Sequence, residues 1–570
     1  MKRILSLLVA VILTCTITGY AFAAPEKCLK APAGFNEHDY ELVASFLELT
    51  DDYNGMSNGQ KLSPSYDPND PWSWNGFYFE MVNGEFRLIQ IECPGMDLVG
   101  ELDVSDCTEL VSLTVEGNRL SNLVCDGCTS LTVINSSYND SIVALSLESC
   151  HSLQILNCCG CRISALDLSY CSELEMLDCG WNRVLPQLDL SYCPSLTTLH
   201  CGDNAITELD LSCCPELTTL NCSYNPITEL DLSDSSHLVT LNCESIAAQD
   251  IDLSGCPELK NLSCAYCLFT FIDASVCPEL EMLDCGGNYD FQILERINVT
   301  GCTKLTELHC DFGLITDIDL TSNRLLTKFS CSNNSLAKLD LSDLSQLSEV
   351  GCNYNMIESL ILPESGTLEL LACDNNPLTS IDLSACPLLK YLYLDNTMLT
   401  DLDLSGCPNL TVLLCNNTPL TEFDFSGNPN VNLNVLRAEG EGFVGIEFSS
   451  YMPEFPVGTA FATPKEGESF IGWFNSYGEL LSENRMFNFT QMDDTVLIAR
   501  FTSHSAPSLP GDIDGNGEIE VSDAILALRS AMGIIELTPE QLAAGDMNGD
   551  GTIGVDDALA ILRTAMGLIG

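Results

Sequence analysis

One pattern, LxxLxCxxNxLTxLDLSxCPx, recurs at intervals of about 21 residues from Phe86 to Val431 and constrains this chain more than any other feature. A clean copy is LTTLNCSYNPITELDLSDSSH, Leu217 to His237. A unit this short cannot bury its own apolar face. It has to stack on its neighbours, and a run of such units makes a solenoid. Within a copy, the pattern predicts a short strand on which Leu220 and Cys222 point inward while Asn221 and Ser223 point outward. About sixteen such strands in parallel, ~4.8 Å apart, give a sheet on the order of 75 Å along the stack. The Asn that follows the strand (Asn182, Asn204, Asn225, Asn288, Asn334, Asn355, Asn376) is placed to hydrogen-bond the backbone where the chain turns away, forming a ladder.

The cysteines keep the same period. One column holds Cys158, Cys179, Cys201, Cys222 and their successors to Cys415, with Ser136, Val115 and Ile91 extending it upstream. A second runs from Cys107 and Cys128 to Cys407. Single residues replace cysteine in both (Leu394 in the first, Asn323 in the second), which a bonded pair would not tolerate. Thiols stacked at strand spacing behave as small buried hydrophobes. The expectation is therefore mostly reduced, buried cysteines and an oxygen-poor habitat. Cys28 and Cys93 stand outside the columns and are the expected disulfide. The CxxC spacings at Cys125/Cys128 and Cys264/Cys267, and the cluster Cys158, Cys159 and Cys161, follow from the columns rather than from a zinc site.

These copies resemble bacterial leucine-rich repeats, with Cys where the last strand Leu usually stands. The resemblance implies an α/β solenoid with a parallel sheet and leaves the ligand open. Residues 1–23 read as a secretory signal: Lys2 and Arg3, an apolar run from Ile4 to Ile17, then Ala21-Phe22-Ala23. No later stretch approaches ~20 unbroken apolar residues. The expected location is secreted and extracellular, with no membrane span and any cell-surface attachment non-covalent or through a partner. Residues 24–85 do not repeat. Their EHDYELVASFLELTDD has the apolar spacing of a short helix (Tyr40, Val43, Phe46, Leu47), and Trp72 and Trp74 follow. The segment resembles an N-terminal repeat cap, with the repeats occupying 86–431. Residues 432–502 alternate apolar and polar positions between Gly turns, a β signature. Their EGESFIGWF and DDTVLIARF resemble the small β-grasp repeat of internalin-type surface proteins, which implies a spacer or cap. Residues 503–510 are a Ser/Pro linker.

The last segment, 511–570, carries GDIDGNGEIEVSDAILALRSAMG and, 34 residues on, GDMNGDGTIGVDDALAILRTAMG. In the first loop the oxygen donors are Asp512, Asp514, Asn516, the carbonyl of Glu518, Glu520 and Asp523, with Gly517 at the sharp turn. In the second they are Asp546, Asn548, Asp550, the carbonyl of Thr552 and Asp557, with Gly554 leaving one vertex to water. Such all-oxygen sets suit a hard cation, and their number suits Ca²⁺ better than Mg²⁺. Position 12 is Asp rather than Glu, and Pro507 and Pro510 preclude a helix before loop one. Each loop instead runs into one amphipathic helix. These features resemble a type I dockerin module with paired F-hand loops. The resemblance implies two Ca²⁺ ions and a cohesin partner on a scaffoldin, hence a cellulosome-type assembly. It also implies a cohesin-facing set of Val521, Ser522, Leu528 and Arg529, with Val555, Asp556, Leu562 and Arg563 in the second copy.

A net charge of −59, from 22 basic and 81 acidic residues, excludes nucleic acid as a partner, because phosphates would be repelled. No HExxH, GxSxG or P-loop is present, and the carboxylates are accounted for by the LDLS surface and the calcium loops. The expected function is a non-catalytic, docked component that recognises a protein or glycan through its repeats, in the setting of plant polysaccharide degradation. The alternative is an enzyme with an unfamiliar site acting on polysaccharide or protein in the same assembly. One surface feature bears on the ligand. Two residues after the first cysteine column, Tyr138, Trp181, Tyr224, Tyr266, Phe312 and Tyr354 occupy alternate copies, with Gly160, Asp203, Ser245, Gly287 and Asn333 between them. Such a row suits glycan stacking or protein contact. The same alternation of large and small residues also serves plain packing.

Overall fold

The computed structural model describes residues 30–566 except 288–291, 416, 421–431, 434–435, 440–441, 449–456, 465–467, 475–479, 491–496, 504–509, 515–518, 536 and 538. The signal segment, Cys28 and Asn288 thus lie outside the described residues, as does most of the linker. The chain forms two compact units, residues 1–326 and 327–570.

The first unit opens with helix α1 (Glu37–Leu47), capped by Asn36 and burying Tyr40, Val43, Phe46 and Leu47. A short helix α2 (Asn58–Leu62) follows, started by a Ser57–Gln60 capping box. Trp74 is buried against Tyr40, and its indole N–H donates to the Asp67 carbonyl at 3.0 Å. Trp72 stays on the surface, edge-on to Phe35 and Phe86. Fully buried Asp39 accepts from Arg87 Nε at 2.8 Å and from the Leu88 N–H at 2.9 Å. A buried carboxylate satisfied in this way ties α1 to the antiparallel strands Phe77–Val82 and Glu85–Glu92.

Strand Glu85–Glu92 then pairs in parallel with Ser112–Thr114, and the series continues by single steps through Thr219–Asn221 to Glu307–His309. Each of these three-residue strands buries its central residue, as Leu220 is buried between Thr219 and Asn221. The pairing Ile91–Leu113 corrects the expected register. Ile91 stands in the strand-leucine column, so Cys93 opens the first thiol column beside Val115. Cys93 is accordingly a free, buried thiol and a column member, not the outlying half of a disulfide. Ser223 also departs from expectation. It is 5 % exposed, because the chain has already left the strand and its N–H and hydroxyl both donate to Asn221 Oδ1.

The Asn ladder ties neighbouring copies together. Asn225 Nδ2 donates to the carbonyls of Cys222 in its own copy and Cys201 in the previous one, both at 3.0 Å, while its Oδ1 accepts from Ile206 N. Where Cys161 and Cys267 replace this Asn, the thiol donates instead: Cys267 Sγ reaches the Cys243 carbonyl at 3.1 Å, and Cys161 Sγ the Ser136 carbonyl at 3.4 Å. Every cysteine from Cys93 to Cys415 is a free thiol, and all but Cys213 are buried. Burial pushes the pKa of Cys128, Cys256 and Cys407 up to about 12.

In the second unit the same parallel stacking runs from Lys328–Ser330 through Glu349–Gly351, Leu370–Ala372, Tyr391–Tyr393 and Val412–Leu414 to Asn432–Leu433. A β module follows. Gly442–Phe448, Val457–Pro464 and Met486–Thr490 form one antiparallel sheet. Glu468–Phe474, Leu480–Ser482 and Leu497–Ser503 form another, which Leu436–Glu439 joins in parallel, and Trp473 is fully buried. Three helices end the chain: α3 (Val521–Ala531), α4 (Pro539–Gly545) and α5 (Val555–Ala565). Their core is small: Ile513, Ala524, Ala527, Ile553, Ala558 and Ile561. No helix among the described residues is long and apolar enough to cross a membrane.

Candidate functional site

Each acidic loop is organised by one aspartate three residues into the helix that follows it. Asp523 is fully buried; its Oδ1 accepts from the N–H groups of Ile513 and Asp514, and its Oδ2 from Glu520 N at 2.9 Å. It therefore caps the start of α3 and pins the opening of the loop with one side chain. Asp557 repeats the arrangement, accepting from Met547, Asn548 and Gly554. A Glu at this place would carry its carboxylate one methylene beyond those three N–H groups, which accounts for the departure at position 12.

In the first loop, the carboxylates of Asp512, Asp514 and Asp523 each place an oxygen within 4.8 Å of the others. Two of the three are buried, and like charges held that close out of water call for a cation. The donor set thus fits a hard divalent ion. Glu520 lies outside this trio, its side chain accepting from Ser522. Asn516 and Glu518 lie outside the described residues. In the second loop the carboxylates close on their own turn. Asp546 accepts from the N–H groups of Gly549, Asp550 and Gly551, and Asp550 from Thr552. Asn548 Nδ2 donates to Asp556, so this expected partner-facing residue is engaged by its own loop.

Of the other expected contact residues, Val521, Ser522, Leu528 and Arg529 are exposed on α3, and Val555 and Arg563 on α5. Leu562 is only partly exposed and packs against the small core. Ile525 and Met532, with Leu559 and Met566, were missed; all four are exposed. They extend Val521–Leu528 and its copy into apolar stripes at helical spacing, a period that the sequence carries and that would have found them. None of the four is among the residues that form or pack against the module's core.

The solenoid's aromatic row has a backbone signature. Tyr138, Trp181, Tyr224, Tyr266, Phe312 and Tyr354 all have φ between 53° and 59°, the left-handed region. The same position in other copies holds Gly160, Asp203, Ser245 and Asn333, again at positive φ. The turn requires this conformation because the N–H must point at the next copy: Tyr224 N donates to the Glu244 carbonyl at 2.7 Å and Trp181 N to that of Gly202 at 2.8 Å.

Two family models match. Residues 194–235 match leucine-rich repeats (2 copies), and residues 510–564 match the dockerin type I domain. No curated protein matches the chain. Among solved structures, the chain is similar to a functional domain of InlJ from Listeria monocytogenes that includes a cysteine ladder. That match is 25% identical with a TM-score of 0.43, covering 62% of this chain and 86% of that one. A leucine-rich-repeat protein of Leptospira interrogans is 19% identical, with a TM-score of 0.46 over 59% and 90%. YopM from Yersinia enterocolitica is 20% identical, with a TM-score of 0.40 over 59% and 91%. Type I dockerin domains bind calcium and serve assembly, leucine-rich repeats serve protein interaction, and no enzyme domain matches the chain. The chain is built of leucine-rich repeats stacked as a parallel-sheet solenoid and a C-terminal type I dockerin domain.

Proposed function

We propose that this protein is a secreted, non-catalytic component of a cellulosome-type assembly, docked through its C-terminal domain onto a cohesin module of a scaffoldin. Its repeats present a recognition surface for a protein or glycan in the setting of plant polysaccharide breakdown. The observation that carries the reading is the duplication. Two loops, each held by a buried aspartate, start two helices that each expose an apolar stripe: Val521, Ile525, Leu528 and Met532 on one, and Val555, Leu559 and Met566 on the other.

Two ions are assigned, one to the loop of Asp512, Asp514, Asn516, Glu518, Glu520 and Asp523 and one to that of Asp546, Asn548, Asp550, Thr552 and Asp557. Bound calcium supplies positive charge that offsets the clustered carboxylates. The chain's own residues do the rest: Asp523 and Asp557 fix the helix starts, and the helices hold the stripes at the surface. With so small a core, the free energy of ion binding becomes folding free energy of the module. The near-repeat of one helix in the other allows docking in two orientations, made unequal by Ser522 against Asp556 and by Leu528 against half-buried Leu562.

The test measures binding of the full chain, and of a chain ending at His504, to a panel of cohesin modules with calcium and with chelator. Binding by the full chain alone, only in calcium, and abolished in Asp512→Ala/Asp546→Ala supports the reading. Cohesin binding that persists in chelator overturns it.

A further inference from the structure

We propose that the left-handed aromatic row of the first unit (Tyr138, Trp181, Tyr224, Tyr266 and Phe312) is a stacking platform for a neutral, extended, β-linked polysaccharide chain. The inference deepens the reading of the repeats as a recognition surface and rests on it.

The turn asks only for positive φ, and Gly160, Asp203, Ser245 and Asn333 meet that demand in other copies. A bulky side chain there sits in a disfavoured backbone region, so aromatic residues at this position oppose the local preference instead of following it. Core packing does not explain four of the five: Tyr138 is 62 % exposed, Trp181 61 %, Tyr224 53 % and Tyr266 44 %, while Phe312 at the end of the row is half-buried. The rings lie along the stack. A Cβ added to Gly160 would meet Tyr138 Cδ1 at 2.7 Å, so that ring covers the turn of the next copy while staying mostly open to solvent. A ring covered beneath and open above is a plate.

The plates recur in alternate copies, two strand spacings or ~10 Å apart. In an extended β-1,4-linked pyranose chain, each sugar is turned over relative to the one before, so the same C–H face returns at every second residue. That alternation matches the row. Polar groups accompany the plates at a fixed offset. The strand residue three positions before each ring is Asn135, Asp178, Asn221, Ser263 or His309; Asn135 and Ser263 already bond Glu116 and Glu244, which leaves the Asn221 amide N–H groups and the His309 ring as the groups offered to sugar hydroxyls. Charge selects among glycans: Glu116, Asp178, Asp203, Glu244 and Asp311 flank the row in a chain of net charge −59, which repels uronic-acid and sulfated polymers and leaves a neutral one.

The experiment uses the full chain in calcium. Affinity electrophoresis and calorimetry are run with hydroxyethylcellulose and mixed-linkage β-glucan, with polygalacturonate as the anionic control. The variant is Trp181→Asn/Tyr224→Asn, since Asn already occupies this turn at Asn333. Its fold is checked by thiol protection and by cohesin binding on the same samples. The platform predicts retardation by the neutral glucans only, at least tenfold weaker binding in the variant, and a shift of tryptophan emission on glucan addition that Trp181→Asn alone reduces. A wild-type chain unretarded by both neutral glucans, equal binding by wild type and variant, or equal retardation by polygalacturonate overturns it. Cohesin binding retained in those cases assigns the failure to the row and leaves the docking reading standing. A protein partner lost in the variant, without glucan binding, refutes the platform and keeps the repeats as a recognition surface.

Discussion

The Asn ladder offers an internal control on how the solenoid is held together. Asn225 is 2 % exposed, and its amide serves four backbone groups: the carbonyls of Cys201, Cys222 and Ser223, the last also held by Asp203 N, and the N–H of Ile206. In Asn225→Ala the Cys201 carbonyl keeps Asn204 Nδ2 at 3.0 Å, but Ile206 N and the Cys222 carbonyl lose this partner. Two buried backbone groups deprived at ~1–3 kcal/mol each give a cost of about 2–6 kcal/mol. Asn204→Ala is different. Its three carbonyls are all shared, Cys179 with Asn182 at 2.8 Å, Cys201 with Asn225 at 3.0 Å and Gly202 with Trp181 N at 2.8 Å, and its own Oδ1 has no partner. That change strands nothing and should cost about 1 kcal/mol, the net worth of an ordinary hydrogen bond. The two variants, compared by equilibrium urea unfolding in calcium, should differ by at least ~1 kcal/mol. Hydrogen exchange at the Ile206 amide should accelerate in Asn225→Ala only. Equal destabilisation would refute the claim that shared carbonyls, and not the asparagines as such, set the strength of the ladder.

Other outcomes follow from single groups. In a Cys28→Ser chain lacking residues 1–23, at pH 8, a thiol reagent should read one fast cysteine, Cys213, with the rest appearing only on unfolding; several thiols reacting at the rate of Cys213 would contradict the buried columns. Burial raises the Asp374 carboxyl to about 6, so the folded state binds the extra proton between the ordinary carboxylate range and that value. Its contribution is present in acid and lost as the pH rises through about 6, leaving a penalty of up to ~3 kcal/mol at pH 7.5. Asp374→Asn should therefore stabilise at pH 7.5 and not at pH 4, and a shift in urea midpoint independent of pH would rule this out. Asp523→Ala should reduce calcium stoichiometry from two to one by calorimetry, and the Asp523→Ala/Asp557→Ala chain should bind none; two ions retained by the double variant would remove these residues from the sites.

What the sequence carried and what it hid divide along physical lines. Repetition averages out local ambiguity, so the strand leucines, the Asn ladder and the thiol columns were legible from period alone. Register at the first copy was not: Ile91 and Cys93 are both apolar and two apart, and only the pairing of Ile91 with Leu113 decides which stands in which column. Ser223 was misplaced because strict alternation was carried one turn too far, past a side chain that bonds Asn221 and folds inward. The left-handed turn was half visible. Gly160, Asp203 and Asn333 are residues that tolerate it, but the aromatic residues in alternate copies masked the signal. In the dockerin domain the loop spacing marked Asp512, Asp514 and Asp523 as a cluster. It could not show that Asp556 bonds Asn548, a contact that depends on where the helix begins.

The stacked thiols have a consequence for how the protein ages. Neighbouring copies set equivalent cysteines about one strand spacing apart, ~4.8 Å, within the reach of a disulfide if the backbone yields. In the intact stack the thiols are buried, and the raised pKa values of Cys128 and Cys256 keep thiolate scarce there. A turn that opens in air loses both protections together. The first bridge formed would hold it open and expose the next pair, so damage would travel along the column one copy at a time. In air, loss of this protein should therefore be paced by rare openings and then run to completion, leaving a mixture of intact and fully spoiled molecules with few in between.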